Sequence, residues 1–327
     1  MITIKKIAEL AGVSSATVSK VINGKDQNIS NSTRERVLEI VHREDYIPNG
    51  IAKSLRVKNT NTFGLIMPDV TNLFFSELAK GIEDAAEKKG YSVILCNSDN
   101  NETKEGKYFS ILQEKKVDGI ILTASDAGTN KLIEKCSIPI VLVDRDITIN
   151  RKVGRITVDN ELGAYMATSF LIKKGCKNIG FISSNTKNKT SAERLVGYER
   201  ALKENGIKIN KDITYYNNFQ TETGYDGTLK ILKNNQMDAI FCGNDLIAIG
   251  AMKALKELKI RVPDDIRIIG FDDILFSEHL EPSLTTIKQP IYELGQNAVN
   301  ILVNLINNNE NDITIVLDPI LVERGSA

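Results

Sequence analysis

The chain has 327 residues, 42% of them apolar, enough to fill two or three cores at roughly 100 to 200 residues each. That excludes a disordered segment and a small disulfide-stapled module. Forty-two basic residues balance forty-two acidic ones, but residues 1–60 carry ten Lys/Arg against six Asp/Glu, and the remainder 32 against 36. A small basic head on a larger acidic body permits nucleic-acid contact at one end only. MITIKKIAEL lacks the apolar core of a signal peptide, and no run approaches the roughly 18 residues of a membrane span, so a cytoplasmic protein is expected. Cys96, Cys136, Cys176 and Cys242 are far apart, with no C-x-x-C pair, and read as packed thiols rather than a zinc site or a disulfide set. With His42 and His279 as the two histidines, His-centred catalysis has little to work with.

In chain order, residues 3–23 (TIKKIAELAGVSSATVSKVIN) place Ile4, Ile7 and Leu10 on one face of a short helix. Gly12 makes a break, Ser14 is a candidate N-cap, and a second helix turns Val18, Val21 and Ile22 inward. Two helices joined by a four-residue turn form a helix-turn-helix, although spacing alone leaves any small helical hairpin equally open. Identity along the segment separates the two. T-I-K-x-I-A-x-L-A-G-V-S-x-A-T-V-S-K-V-I-N-G strongly resembles the DNA-binding head of the lactose-repressor (LacI/GalR) regulators, and residues 33–56, TRERVLEIVHREDYIPNGIAKSLR, resemble that family's third helix and hinge. The departures are local: an extra residue in the 25–30 loop, Glu44-Asp45 before Tyr46, Gly50, and Lys20 where Arg is common.

The resemblance implies a lambda-repressor-like helix-turn-helix domain over residues 1–48 and a hinge helix and linker over 49–60. In that family the second helix enters the major groove of duplex operator DNA, so Ser15, Ala16 and Lys20 are the readout candidates. Thr17, Ser19, Asn23, Arg34 and Thr33 would hold phosphates. Ala16 suits a thymine methyl; Lys20 suits guanine O6/N7 without arginine's planar fork, or else a backbone phosphate. Leu55, flanked by Lys53, Ser54, Arg56 and Lys58, reads either as core or as a minor-groove wedge, and the polar flanks favour the wedge. Two wedges need two protomers, hence a homodimer on a near-palindromic site.

After residue 60, short β-branched runs alternate with stretches of helical period, the pattern of βαβ units around parallel sheets. The strands read from it are 63–67, 91–96, 119–123, 138–143, 155–158, 178–183, 213–219, 238–242 and 266–271. One-sided helices are expected at 73–89 through Phe74, Leu78, Ile82 and Ala85/Ala86, and at 245–258 through Leu246, Ile249, Met252 and Leu255/Leu258. A return segment, 289–327, holds a helix over 291–306 and a strand at 313–317. The fold class is therefore α/β, two lobes facing a cleft, with a first lobe of about 61–160 plus 290–327 and a second of about 161–289.

After the first strand comes Pro68-Asp69-Val70-Thr71-Asn72-Leu73-Phe74-Phe75, with no G-x-G-x-x-G there and no G-x-x-x-x-G-K-[ST] anywhere, so no nucleotide cofactor is implied. The body resembles the periplasmic sugar-binding fold that the same family uses as its sensor, which would also dimerise. Ligands of such sheets sit beyond the carboxyl ends of the strands, where Asp69, Asn72, Phe74, Phe75, Asp144 and Arg145 fall in the first lobe. Arg194, Phe219, Asn244, Asp272 and Gln289 fall there in the second. Singly, each Asp or Asn reads equally well as a helix cap. Together, carboxylates, amides, two arginines and rings suit a small polyol, and the set is similar to ribose-binding members of the fold, pointing to ribose or a related pentose.

Three functions compete. A sugar-responsive repressor needs the head; a transport solute-binding protein would carry an export signal and no head; a sugar enzyme would need a hydrolytic carboxylate pair, for which no second signature exists. A repressor and not an enzyme is therefore expected. The family holds both ligand-released and corepressor-activated members, and that sign is not in the sequence.

Overall fold

A computed structural model of the chain describes residues 2–46, 59–124, 130–307 and 313–327. It divides into two compact units, residues 1–60 and 61–327. In the first, α1 (Ile4–Ala11), α2 (Ser15–Ile22) and α3 (Asn31–Arg43) each start at a hydroxyl cap. Thr3 accepts from the Lys6 N–H, Ser14 from Thr17 and Ser30 from Thr33. Each cap satisfies a donor that a helix start leaves open, worth about 1 kcal/mol. Gly12, at φ 63°, ends α1 in the left-handed region that a glycine adopts without strain.

Ile7, Ala8, Ala11, Val18, Val21, Val37 and Ile40 form the small core of this unit. Leu10 is a correction: it is 43% exposed, and Ala8 and Ala11 take the inward places. The small alanines let α1 approach α2 and α3 closely, and the larger leucine is left on the flank. The expected hinge and its Leu55 lie outside the described residues.

The second unit opens with β1 (Thr62–Met67), α4 (Leu73–Lys88), β2 (Ser92–Asn97), α5 (Glu102–Glu114), β3 (Gly119–Leu122), α6 (Asn130–Lys135), β4 (Ile140–Val143) and β5 (Gly154–Val158). It continues with α7 (Asn160–Lys173), β6 (Ile179–Ser184), α8 (Lys189–Glu204), β7 (Thr214–Asn217), α9 (Thr221–Leu232), β8 (Ala239–Cys242), α10 (Asp245–Glu257), β9 (Arg267–Asp272) and β10 (Thr285–Lys288). Then follow α11 (Ile291–Ile306), β11 (Thr314–Leu317) and β12 (Ile320–Val322). One sheet runs β11-β5-β4-β3-β1-β2, all parallel. The other runs β12-β10-β9-β8-β6-β7, parallel except for β12, which is antiparallel to β10.

Because both faces of a parallel sheet are covered at its centre, the central strands β1, β3, β4, β6, β8 and β9 are predominantly apolar and alternate in which layer they feed, while the edge strands β2, β7 and β11 are partly exposed. Leu65, Ile121 and Val141 meet Leu78, Ile82 and Leu302 on one face of the first sheet; Ile66, Ile120 and Leu142 meet Phe109 and Leu112 on the other. The second sheet divides the same way, Phe181, Phe241 and Ile269 toward Leu171 and Tyr198, and Ile182, Ile240 and Ile268 toward Ala251 and Leu255. The four cysteines are buried and unpaired.

Two expectations are corrected here. Residues 320–327 belong to the second lobe and not the first: β12 pairs with β10, and Ser326 bonds to Ile268 and Thr285. The three-residue β12 and the four-residue β10, TTIK, are too short to show a period. On α10, the face packed into its own lobe is Ile247, Ala248, Ala251 and Leu255, and Leu258 is exposed. Leu246 and Ile249 pack instead against the first lobe's core, as does Ile274. Their stripe is real, but its partner is the other lobe.

Candidate functional site

The carboxyl ends of both sheets face one cavity, enclosing about 300 Å³ of atom-free space with its mouth included. From the first lobe, Asn72 caps α4, accepting from the Phe74 N–H at 3.1 Å, and so fixes the first turn that carries Phe74 and Phe75. The two rings stand edge to face, 5.0 Å apart. Asp144 and Arg145 follow β4. Asp144 holds φ 66°, while Arg145 donates to the Asn100 amide oxygen at 2.8 Å and lies 5.7 Å from the Phe75 ring centre.

From the second lobe, Arg194 on α8 is 2% exposed. Its Nε donates to Asn160 Oδ1 at 3.0 Å, Nη1 donates to the Gly243 carbonyl, and the guanidinium stacks 3.6 Å from the Phe271 ring centre. Its Nη2 lies 3.9 Å from Asp272 Oδ1, which also accepts from Gln289 Nε2 at 2.7 Å. Asn244 caps α10 and donates to the Phe219 carbonyl, whose ring completes the wall. Burial pushes the Asp144 and Asp272 carboxyls up, the neighbouring arginines opposing it, and burial pulls the Arg194 guanidinium down. By formal count two carboxylates balance two guanidiniums, so the lining presents donors and acceptors side by side.

The structure thus brings together ten of the eleven predicted cavity residues. Asp69 is the exception: it is not in the lining. Its carboxylate accepts from the Thr71 N–H and Oγ1 at 2.9 and 2.6 Å and from Gln220 Nε2 of the other lobe at 3.0 Å. Burial raises its pKa, but these bonds outweigh it and hold the carboxyl below its ordinary value. It therefore joins the lobes at the rim. Across the cleft Lys189 reaches Asp146 at 2.5 Å. The missed lining residue is Thr190; its signal was the spacing of four from Arg194, which stacks both on one face of α8.

Behind the cavity, wholly buried Asp245 accepts from the Ile274 N–H at 3.0 Å and from the hydroxyls of Ser277 and Thr286, each at 2.6 Å. Burial pushes its carboxyl up to about 6 against these bonds. The folded protein then holds this proton more tightly than the unfolded chain between about pH 4 and 6, so stability from Asp245 falls as pH rises through that window. The stability of the wild type, relative to Asp245→Asn, is expected to rise between pH 7 and pH 5 by about 1 kcal/mol, read from melting temperatures at each pH. Parallel profiles would refute the assignment.

In the head unit, Ala16 and Lys20 are exposed on α2 and Ser15 is half-buried at its start. The others are engaged locally: Thr17 Oγ1 with Ser14 Oγ at 2.9 Å, Asn23 Nδ2 donating to the Ser19 carbonyl at 2.6 Å, and Arg34 paired with Asp26 at 2.8 Å.

Residues 3–49 match the lacI family of bacterial regulatory proteins, and residues 168–327 match the periplasmic binding protein-like domain. The transcriptional repressor PurR of Vibrio vulnificus (strain CMCP6) is 38% identical over 331 residues, 100% of this chain and 98% of PurR. The chain belongs to the LacI family. It is a DNA-binding transcriptional repressor, with a helix-turn-helix head and a two-lobed sensor of the periplasmic-binding type. Among solved structures, the lac repressor dimer bound to operator and the anti-inducer ONPF aligns with TM-score 0.90 at 27% identity, covering 99% of this repressor and 98% of that chain. A LacI-family regulator of Enterococcus faecium with bound ribose aligns with TM-score 0.74 at 30% identity, covering 81% and 98%. Among the described residues, no helix of the repressor is long and apolar enough to cross a membrane, and no group of His, Cys, Asp and Glu could hold a metal.

Proposed function

We propose that the repressor controls a sugar-utilisation operon from the cytoplasm and that its effector is a small uncharged sugar, ribose or a related pentose, held in the cavity. The observation that carries this reading is the buried, charge-balanced lining, Asp144 and Asp272 against Arg145 and Arg194, with aromatic rings on its walls. Vicinal hydroxyls both donate and accept, so one polyol satisfies carboxylate and guanidinium together, while rings cover its C–H faces. A phosphorylated sugar would bring a dianion that two already partnered arginines do not compensate. The ribose-bound Enterococcus faecium regulator supports the same class of ligand.

In this reading two protomers bind a near-palindromic operator, as in the lac repressor dimer. Ser15, Ala16 and Lys20 read bases, Thr17, Ser19, Asn23 and Arg34 hold phosphates, and Leu55 wedges the minor groove. The effector shifts the lobes between two arrangements, and the hinge transmits the change.

The test is thermal-shift screening against ribose, arabinose, xylose, glucose, ribose 5-phosphate and a free purine, followed by operator release with the best ligand. Ribose or another pentose is expected to raise the melting temperature at saturation, by the equivalent of about 2.7 kcal/mol at roughly a hundred times Kd, and to change operator affinity. Stabilisation by the phosphate ester or the purine alone sinks the sugar assignment.

A further inference from the structure

The last residue of β9 and the one after it both hold left-handed backbone angles, φ 122° at Asp272 and 61° at Asp273. Neither is glycine, so the turn that aims the Asp272 carboxylate into the cavity is one the chain leaves unless something outside it holds it. Asp272 gives its side chain to the cavity; Asp273 does not. The Asp273 carboxylate, its side chain 9% exposed, points to the C-terminal tail, where Arg324 Nη1 meets it at 2.7 Å. Lys288 approaches from β10 at 3.8 Å, but its side chain is 56% exposed and so screened, against 18% for Arg324.

Arg324 is itself fixed. Its N–H donates to Thr285 Oγ1 and its Nη1 to the Leu284 carbonyl, both at 2.9 Å. Two residues on, Ser326 Oγ donates to the Ile268 carbonyl at 2.7 Å and accepts from the Thr285 N–H at 2.8 Å, which stitches the tail across β9 and β10.

We propose that Arg324 is a positioning residue for the sensor cavity: by pairing with Asp273 it holds the two-residue turn that presents Asp272 to the effector. The C-terminal tail, distant in sequence, thereby sets effector affinity without touching the effector. This rests on the reading of the cavity as the effector site.

The experiment titrates D-ribose calorimetrically into the full-length wild type, Arg324→Ala, Arg324→Lys, Asp273→Asn and the control Ser283→Ala, which loses only the bond that the Gly325 N–H donates to Ser283 Oγ. Arg324→Ala and Asp273→Asn are expected to weaken ribose binding about tenfold or more, because a misaimed carboxylate no longer meets its hydroxyls. Arg324→Lys, which keeps the charge but not the fork, is expected to stay within about threefold of wild type. Ser283→Ala is expected to match wild type, and operator binding without sugar to persist in all five proteins. Ribose affinity unchanged in Arg324→Ala, whatever its melting temperature, overturns the proposal. If the wild type takes up no ribose, the pentose reading fails by itself, and the positioning claim is decided by carbon NMR of carboxyl-labelled aspartate, with the Asp272 signal assigned by its loss in Asp272→Asn. A signal displaced in Arg324→Ala and not in Ser283→Ala supports the role; an undisplaced signal overturns it.

Discussion

Alanine at Asp272 or at Arg145 is expected to abolish the response to effector while operator binding persists. Asp272 is 5% exposed and engages Gln289 and Arg194, so a ligand hydroxyl placed there meets an acceptor already stripped of water. Charge-assisted hydrogen bonds of this kind contribute about 1.5–3 kcal/mol each, and a hydroxyl left unpaired in the cavity adds its own desolvation cost. The combined loss corresponds to about 100-fold or more in affinity. Arg145 acts from the opposite lobe, held by Asn100 and beside Phe75, and its removal leaves Asp144 buried without its nearest cation. Both changes lie in the second compact unit, whereas the head keeps its own core of Ile7, Val18 and Val37. Effector titration and operator binding, measured on the same preparations, separate the outcomes. A retained response in both variants would mean that the effector binds elsewhere than in this cavity.

The parts that were legible in the sequence share a physical cause. Apolar, often β-branched runs announce the central strands of two sheets that are parallel but for β12, and residues placed just past the carboxyl ends of those strands converge because parallel strands point all those ends one way. What escaped depends on contacts between distant segments. Leu246 and Ile249 carry a helical stripe, but periodicity cannot say that its partner is the other lobe. Asp69 follows a strand as Asp144 and Asp272 do, yet Thr71 and Gln220 draw its carboxylate to the rim. Leu10 has the size of a core residue, and the close approach of three short helices selects Ala8 and Ala11 instead. The tail's lobe is not legible, because β12 is a three-residue strand whose pairing with β10 leaves no local pattern.

Bulk at the crossing of α9 and α10 is expected to cost more stability than the loss of any cavity side chain. A Cβ on Gly250 would overlap the carbonyl oxygen of Thr221, and one on Gly224 would overlap that of Ile247, so the two helices touch backbone to backbone at reciprocal glycines. Backbone atoms cannot rotate away as a side-chain tip can, and relief requires moving one helix off the other. Gly250→Ala is therefore expected to destabilise the sensor by about 3 kcal/mol or more, read as a shift of its urea midpoint. Gly106→Ala is the control, since its Cβ would meet only the Leu132 side chain, at 3.2 Å. The same helix also builds the site. α10 presents Ile247 and Ala251 to its own lobe and Leu246 and Ile249 to the other, and its cap, Asn244, lines the cavity. A displaced α10 thus weakens effector binding as well as stability, while a Gly250→Ala protein with the urea midpoint of Gly106→Ala would show that the crossing tolerates a methyl group and that the two backbones are not in tight contact.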